Sequence, residues 1–143
     1  MPTVEQISES RIRRVLDRKK FSHRIDDDGD IVGVLSADED CPYSVLWYIR
    51  LEGKNKGLFV IRLLDDRVIP DRDHGRAVLA CNKWNKEKRW PKTFLAVGSD
   101  AQIIGEEQID LETGIHDELL ADYIATMISA GWSMFVTLSK EGL

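Results

Sequence analysis

The segment from Tyr43 to Leu64 constrains the fold most, because its apolar side chains recur with a period of two on both sides of a central turn. That period is expected of half-buried β-strands and not of a helix. The turn occupies residues 53–57, which begin and end with glycine, so the two strands form an antiparallel hairpin. One face of the hairpin consists of Tyr43, Val45, Trp47, Ile49, Leu51, Phe59, Ile61 and Leu63. The sequence therefore predicts a sheet with other elements packed on that face.

The opposite face of the same hairpin is also largely apolar. Its apolar members are Leu46, Tyr48, Val60 and Leu64, and in the second strand only Arg62 interrupts them. If helices cover one face of the sheet only, this second face lies in water, which is unusual for a large apolar surface. We therefore predict that a second copy of the chain covers it in a homodimer, and we take these four apolar residues as candidate protein-binding residues.

The rest of the chain supplies helices and further strands. A capping box at Thr3 and Gln6 predicts the start of a first helix, which ends in the basic run at residues 18–20. The predicted elements that follow are strands at 21–25 and 31–35, the central hairpin, a helix at 71–88, strands at 93–97 and 102–111, and a helix from residue 115. The pattern predicts a single domain over residues 1–143, an α+β antiparallel sheet with helices packed on it in the order α-β-β-β-β-α-β-β-α.

Residues 82–92 mark the change from the second helix to the strand after it. Pro91 biases Trp90 away from helical backbone angles and has no N–H to donate, so the helix must end by about Arg89. Trp84 is expected either to anchor the core or to contact a partner. Trp90 is expected to pack under the basic end of the helix, with partner contact as the alternative. Both tryptophans are therefore candidate protein-binding residues.

The pattern Asn82-x-x-Asn85 followed by Arg89-Trp90-Pro91-Lys92 and a short strand resembles the YbjN family of small bacterial proteins. The resemblance continues into Ile109-Asp110-Leu111 and the helix that starts near Ile115. It implies a fold like that of type III secretion chaperones and a regulatory role in stress or sensory signalling. It implies no catalytic residues.

The chain shows no pattern of side chains suited to catalysis or to holding a metal or cofactor. The candidate bases, nucleophiles and ligands are His23, His74, His116, Cys41 and Cys81. They lie far apart in sequence, and none belongs to a nucleophilic motif or has metal-ligand spacing. The acidic run at residues 26–30 fails as a calcium loop, because alignment on Gly29 puts Arg24 and Leu35 at ligand positions. We therefore predict no enzymatic activity, no metal and no cofactor.

Composition predicts a soluble cytoplasmic protein with no membrane partner. The first five residues lack the basic-then-apolar profile of a secretory signal, and no uncharged apolar run approaches the roughly 18 residues of a membrane span. The two cysteines have no nearby companion, which indicates reduced thiols.

Basic residues concentrate in the first two thirds of the chain and suggest nucleic-acid binding as an alternative. The basic N-terminal helix contains Arg11, Arg13, Arg14, Arg18, Lys19 and Lys20, and the segment from Trp84 to Trp90 interleaves basic and aromatic residues. Such groups can neutralise phosphates and stack on bases. The net charge of −5 and the isoelectric point near 5.2 argue against it. We therefore predict a noncatalytic, homodimeric regulator or chaperone-like domain that binds an unknown protein client.

Overall fold

The computed structural model describes residues 3–143, which form one six-stranded sheet and three α-helices. In chain order the elements are α1 (Glu9–Arg18), β1 (Arg24–Ile25), β2 (Ile31–Leu35), β3 (Val45–Glu52), β4 (Leu58–Leu64), a single 3₁₀ turn (Asp71–Asp73), α2 (His74–Glu87), β5 (Lys92–Val97), β6 (Ala101–Asp110) and α3 (Asp117–Lys140). Across the sheet the strands follow the order β1-β2-β3-β4-β6-β5, and all neighbours are antiparallel. The predicted α+β fold and its order of helices and strands are confirmed.

The helices pack on the face of the sheet that carries Trp47 and Phe59, which we call the inner face. Both of these side chains are fully buried. Tyr123 of α3 meets Phe59 edge to face, with the ring centroids 5.5 Å apart. Gly131 brings the backbone of α3 against Leu63 so closely that a side chain there would overlap the leucine. The core therefore lies between this face and the helices, as the hairpin pattern predicted.

The first helix begins later than its sequence predicted. Ser8 is the residue that caps α1, and its Oγ accepts a hydrogen bond from the backbone N–H of Arg11 at 3.2 Å. The predicted capping box at Thr3 and Gln6 is wrong, because Glu5 is extended and forms a β-bridge with Ile115. That bridge satisfies the backbone before Ser8, so the chain cannot also be helical there.

Arg11 ties α1 to the start of α3. Its guanidinium is buried and donates hydrogen bonds to the carbonyl oxygens of Glu5 at 2.6 Å and Ile115 at 2.7 Å. It also donates to the Asp117 carboxylate at 2.7 Å. Hydrogen bonds from Arg11 and Arg14 hold the pKa of Asp117 below its ordinary value. This network joins the two helices through groups more than a hundred residues apart in the chain.

The last helix, α3, is long and apolar enough by length and composition to cross a membrane. In this structure its apolar side chains pack into the protein core. Ile124, Met127, Met134 and Phe135 are all buried in the core against the sheet. α3 is thus a core helix, and its apolar side chains cover more of its circumference than they do in a typical surface helix.

Candidate protein-interaction surfaces

The face of the sheet opposite the helices, which we call the outer face, carries a continuous row of apolar side chains. Strand register places them side by side across five strands, in the order Val34, Leu46, Leu64, Ile104 and Phe94. We call this set the apolar row. At its two ends, Val34 exposes 59% of its surface and Phe94 36%, and the three residues between them are half-buried. The row is therefore open to solvent along its length.

A row of polar and charged side chains, the charged row, runs beside the apolar row. It consists of Tyr48, Arg62, Glu106 and Lys92, which are neighbours by strand register. Glu106 is buried and accepts hydrogen bonds from the Arg62 guanidinium and from Lys92 Nζ at 3.0 Å. Arg62 also donates to the hydroxyl of Tyr48 at 3.1 Å. The outer face thus combines an apolar strip with a strip whose charges are already paired.

Burial would raise the pKa of Glu106, but hydrogen bonds from Lys92, Arg62 and Gln108 outweigh it and hold the pKa below its ordinary value. A carboxylate whose pKa is lowered by folding stabilises the protein above its unfolded-state pKa. That contribution is lost as the pH falls through the folded-state pKa. The charged row should therefore weaken in acid and be fully formed at neutral pH.

We expect Glu106→Gln to lower the free energy of unfolding by about 1 to 2 kcal/mol at pH 7, because the charged hydrogen bonds become neutral ones. The deficit should shrink as the pH falls below about 4, where the parent carboxylate is protonated as well. Urea unfolding followed by circular dichroism at a series of pH values measures both effects. Glu39→Gln, in the exposed loop before β3, is the control. A deficit that stays constant down to pH 2.5 would contradict the assignment.

The structure brings the four sheet residues predicted as a binding surface onto the outer face. Leu46 and Leu64 belong to the apolar row, and Tyr48 lies in the charged row. All three are half-buried. Val60 lies on the same face but exposes only 2% of its surface. Val60 therefore packs within this face and adds almost nothing to its exposed surface.

The junction between α2 and β5 depends on Trp84 and Asn85. Trp84 exposes only 6% of its surface, and its Nε1–H donates to the carbonyl oxygen of Pro91 at 3.0 Å. The Asn85 side chain makes the two hydrogen bonds that a neighbouring strand would make to Thr93. Its amide donates to the carbonyl of Thr93, and its oxygen accepts from the Thr93 N–H. Trp84 is therefore packed into the junction and offers almost no surface to a partner.

Trp90 is placed differently. It exposes 41% of its surface, and the peptide bond between Trp90 and Pro91 is cis. Its ring lines a surface groove of about 360 Å³ between the end of α2 and α3, together with Lys88 and Arg89. The ring therefore lies beside the basic end of the helix, as expected, but stays partly exposed there. The groove is aromatic and basic and can receive a partner side chain.

The basic residues of α1 differ in their exposure and in their partners. Arg11 is buried, and Arg14 pairs with Asp117 at 2.9 Å. Arg13 and Arg18 remain exposed on the helix. The sequence could not separate these roles, because a buried arginine with carbonyl and carboxylate partners looks like any other basic residue. Arg11 is thus withdrawn from the predicted nucleic-acid surface, whereas the Arg14 side chain stays 60% exposed despite its ion pair.

The acidic turn between β1 and β2 brings carboxylate oxygens of Asp26, Asp28 and Asp30 within 4.8 Å of one another. Asp26 Oδ1 accepts hydrogen bonds from the backbone N–H groups of Asp28 and Asp30, both at 2.9 Å. Both oxygens of Asp30 accept from Arg50, at 2.6 and 2.8 Å. Two of the three groups that could hold a cation are therefore already engaged in forming the turn and bracing β3.

The histidines and cysteines of the described residues serve structure. His23 and His74 hydrogen-bond to the backbone oxygens of Phe21 and Ile69. His116 caps α3 by accepting from the N–H of Leu119 at 3.2 Å. Cys81 is buried, which raises the pKa of its thiol. None of these groups is placed beside another to act as a nucleophile and base.

A cavity of about 750 Å³ opens between the start of α1, the acidic turn and the end of β3. Its floor includes Ile12, Ile31 and Ile49, which are buried core residues. The ion pair of Asp30 and Arg50 lies at its rim. Further charged residues, among them Glu9, Glu52 and Lys56, also line the cavity, so its walls are mixed in character.

Comparison with known families decides the assignment. Residues 8–138 match the model of the YbjN family, which is described as "Putative bacterial sensory transduction regulator". The chain belongs to the YbjN family. A solved structure, "Crystal structure of YbjN, a putative transcription regulator from E. coli", is similar to this YbjN chain with a TM-score of 0.80 and 10% sequence identity. The similarity covers 99% of this chain and 97% of the other.

At that identity the likeness shows a shared fold. No curated protein matches the sequence. The resemblance of residues 82–92 to the YbjN family is confirmed. Two of these residues have structural contacts: Asn85 secures β5, and the Pro91 carbonyl accepts a hydrogen bond from Trp84.

Proposed function

We propose that this YbjN chain is a noncatalytic regulator that works as a homodimer and binds another protein, with the outer face of the sheet as the dimer interface. The observation that carries the proposal is the apolar row, which crosses the sheet from Val34 to Phe94 and stays open to solvent. Apolar strips of this kind mark interaction sites. The adjoining charged row, with its charges paired within one chain, can be covered without leaving a buried charge unpaired.

The same proposal assigns client binding to the end of α2. Trp90, Lys88 and Arg89 surround the groove there, and aromatic and arginine side chains are common anchors of protein interfaces. A chain that dimerises through its sheet and offers this groove to a client would act as a chaperone-like domain in sensory or stress signalling in the cytoplasm.

Leu46→Glu places a charge within the apolar row and should convert the dimer to a monomer, because a charge introduced into a desolvated apolar interface is costly to bury. We expect the dimer dissociation constant to rise at least about a hundredfold, which corresponds to about 2.7 kcal/mol. Sedimentation velocity over a concentration series measures it.

Leu119→Glu is the matched control, because Leu119 exposes 51% of its surface on α3, away from the outer face. It should sediment like the parent. A parent protein that remains monomeric at about 100 μM, or a Leu46→Glu variant that dimerises as well as the parent, would contradict the proposed interface.

A further inference from the structure

β5 is the end strand of the sheet, and part of its outer edge is open. In antiparallel pairs, successive residues direct their N–H and C=O groups alternately to one neighbour and to the other. Thr93 directs both groups to Asn85 and away from β6. Leu95 and Val97, which are two and four residues further on, therefore direct their groups outward too. Gly98, the next residue, donates its N–H to the carbonyl of Asp100, on the β6 side. This agrees with Val97 directing its groups to the opposite, outer side.

The helix α2 lies beside β5, and its Asn85 covers the edge at Thr93, but the strand itself lacks the residues that usually protect an edge. Residues 93–97 contain no charge and no proline. Val97 exposes 68% of its surface, and Val78 of α2 exposes 52%. Val78 lies two helical turns before Asn85, on the side of α2 that meets β5. At the other end of the sheet, β1 has only two residues, one of them Arg24, so the two edges differ.

A small pocket continues the line of this edge. It has a volume of about 200 Å³. Its apolar lining includes Val68, Pro70 and Val97, and its polar lining includes Asp71, His74 and Asp100. Val68 exposes 50% of its surface at this point. The volume suits a single aliphatic side chain. An open edge that offers backbone hydrogen bonds, next to a pocket for one side chain, has the two parts that peptide recognition by strand addition uses.

We propose that the edge of β5 at Leu95–Val97 binds an extended segment of a protein client as an added strand, with an aliphatic side chain of that segment in the pocket beside Val97. The inference rests on the proposed protein-binding function and names the form of its client. Leu95 and Val97 supply two N–H and two C=O groups, and Asn85 closes the edge at Thr93. This length suits a short peptide segment. A second copy of β5 would bring its own Asn85 and α2 into the same space.

The test uses the full chain and short capped peptides that alternate Thr with Val and carry Ala, Val or Leu at the anchor position. Amide hydrogen exchange followed by NMR is the readout. Saturating peptide should slow the exchange of the Leu95 and Val97 amides at least about tenfold, while Phe94 and Ala96, which already bond to β6, change little. Leu at the anchor should bind most tightly. Peptides N-methylated on the side that faces β5 should have no effect.

Val97→Pro removes one outward N–H without removing a bond to β6, and proline is tolerated on edge strands. It should weaken peptide binding at least about tenfold, whereas Val97→Thr, which keeps the N–H, should bind like the parent. No protection of Leu95 and Val97 by any of the peptides would overturn the inference, even if Leu46→Glu abolishes the dimer as proposed. A Val97→Pro protein that becomes monomeric would also overturn it, because the edge would then bind a second copy.

Discussion

Replacing Trp84 with Ala is expected to lower the free energy of unfolding by about 3 to 5 kcal/mol, the usual cost of emptying a large buried aromatic site. The side chain exposes 6% of its surface and its Nε1–H holds the carbonyl of Pro91, so both packing and a hydrogen bond are lost. Urea unfolding monitored by circular dichroism measures the change.

Trp90→Ala is the matched comparison, because the same change is made six residues away in a ring that exposes 41% of its surface. We expect a loss below about 1 kcal/mol, in the range of surface substitutions. A Trp90→Ala protein as unstable as Trp84→Ala would mean that the groove between α2 and α3 is part of the core and not a recognition surface.

Gly33→Ala is expected to cost about 3 kcal/mol, the upper part of the range for overpacking a core. A Cβ at this position in β2 would overlap the indole of Trp47, which exposes 1% of its surface and cannot move aside. Thermal unfolding should show a correspondingly lower midpoint.

Two further variants isolate the cause. Gly75→Ala, in the first turn of α2, meets no atom within 4 Å, and the change should stabilise slightly because alanine favours helices. Combining Gly33→Ala with Trp47→Leu should cost less than the sum of the two single changes, since the smaller side chain leaves room for the new methyl group. Strict additivity of the two changes would show that they do not meet.

The order of helices and strands could be predicted from the sequence because each element carries its own local pattern. The period of two in residues 58–64 and the proline at position 91 each determine local structure with little help from the rest of the chain. The start of α1 could not be found in this way. Whether Ser8 or Thr3 caps the helix depends on the bridge from Glu5 to Ile115, a contact across most of the chain.

The candidate surfaces were only partly visible in the sequence. Alternation showed which residues share the outer face, but not that Ile104 and Phe94 extend it, because their place depends on β6 entering between β4 and β5. The open edge of β5 was equally hidden. The sequence shows a short apolar strand there, and only the strand order and the contact of Asn85 with Thr93 reveal which backbone groups are left outward.

The contact of α1 with α3 affects how the chain can fold during synthesis. The apolar side of α1, with Ile12 and Leu16 fully buried in the finished protein, has no complete cover until α3 has left the ribosome, because Arg11 joins Ile115 and Asp117. A nascent chain that has made only the sheet hairpins must therefore keep this helix undocked. Domains whose first and last elements pack together complete their folding late in translation. Until then that apolar stripe is exposed on the nascent chain, which is the kind of surface that promotes aggregation.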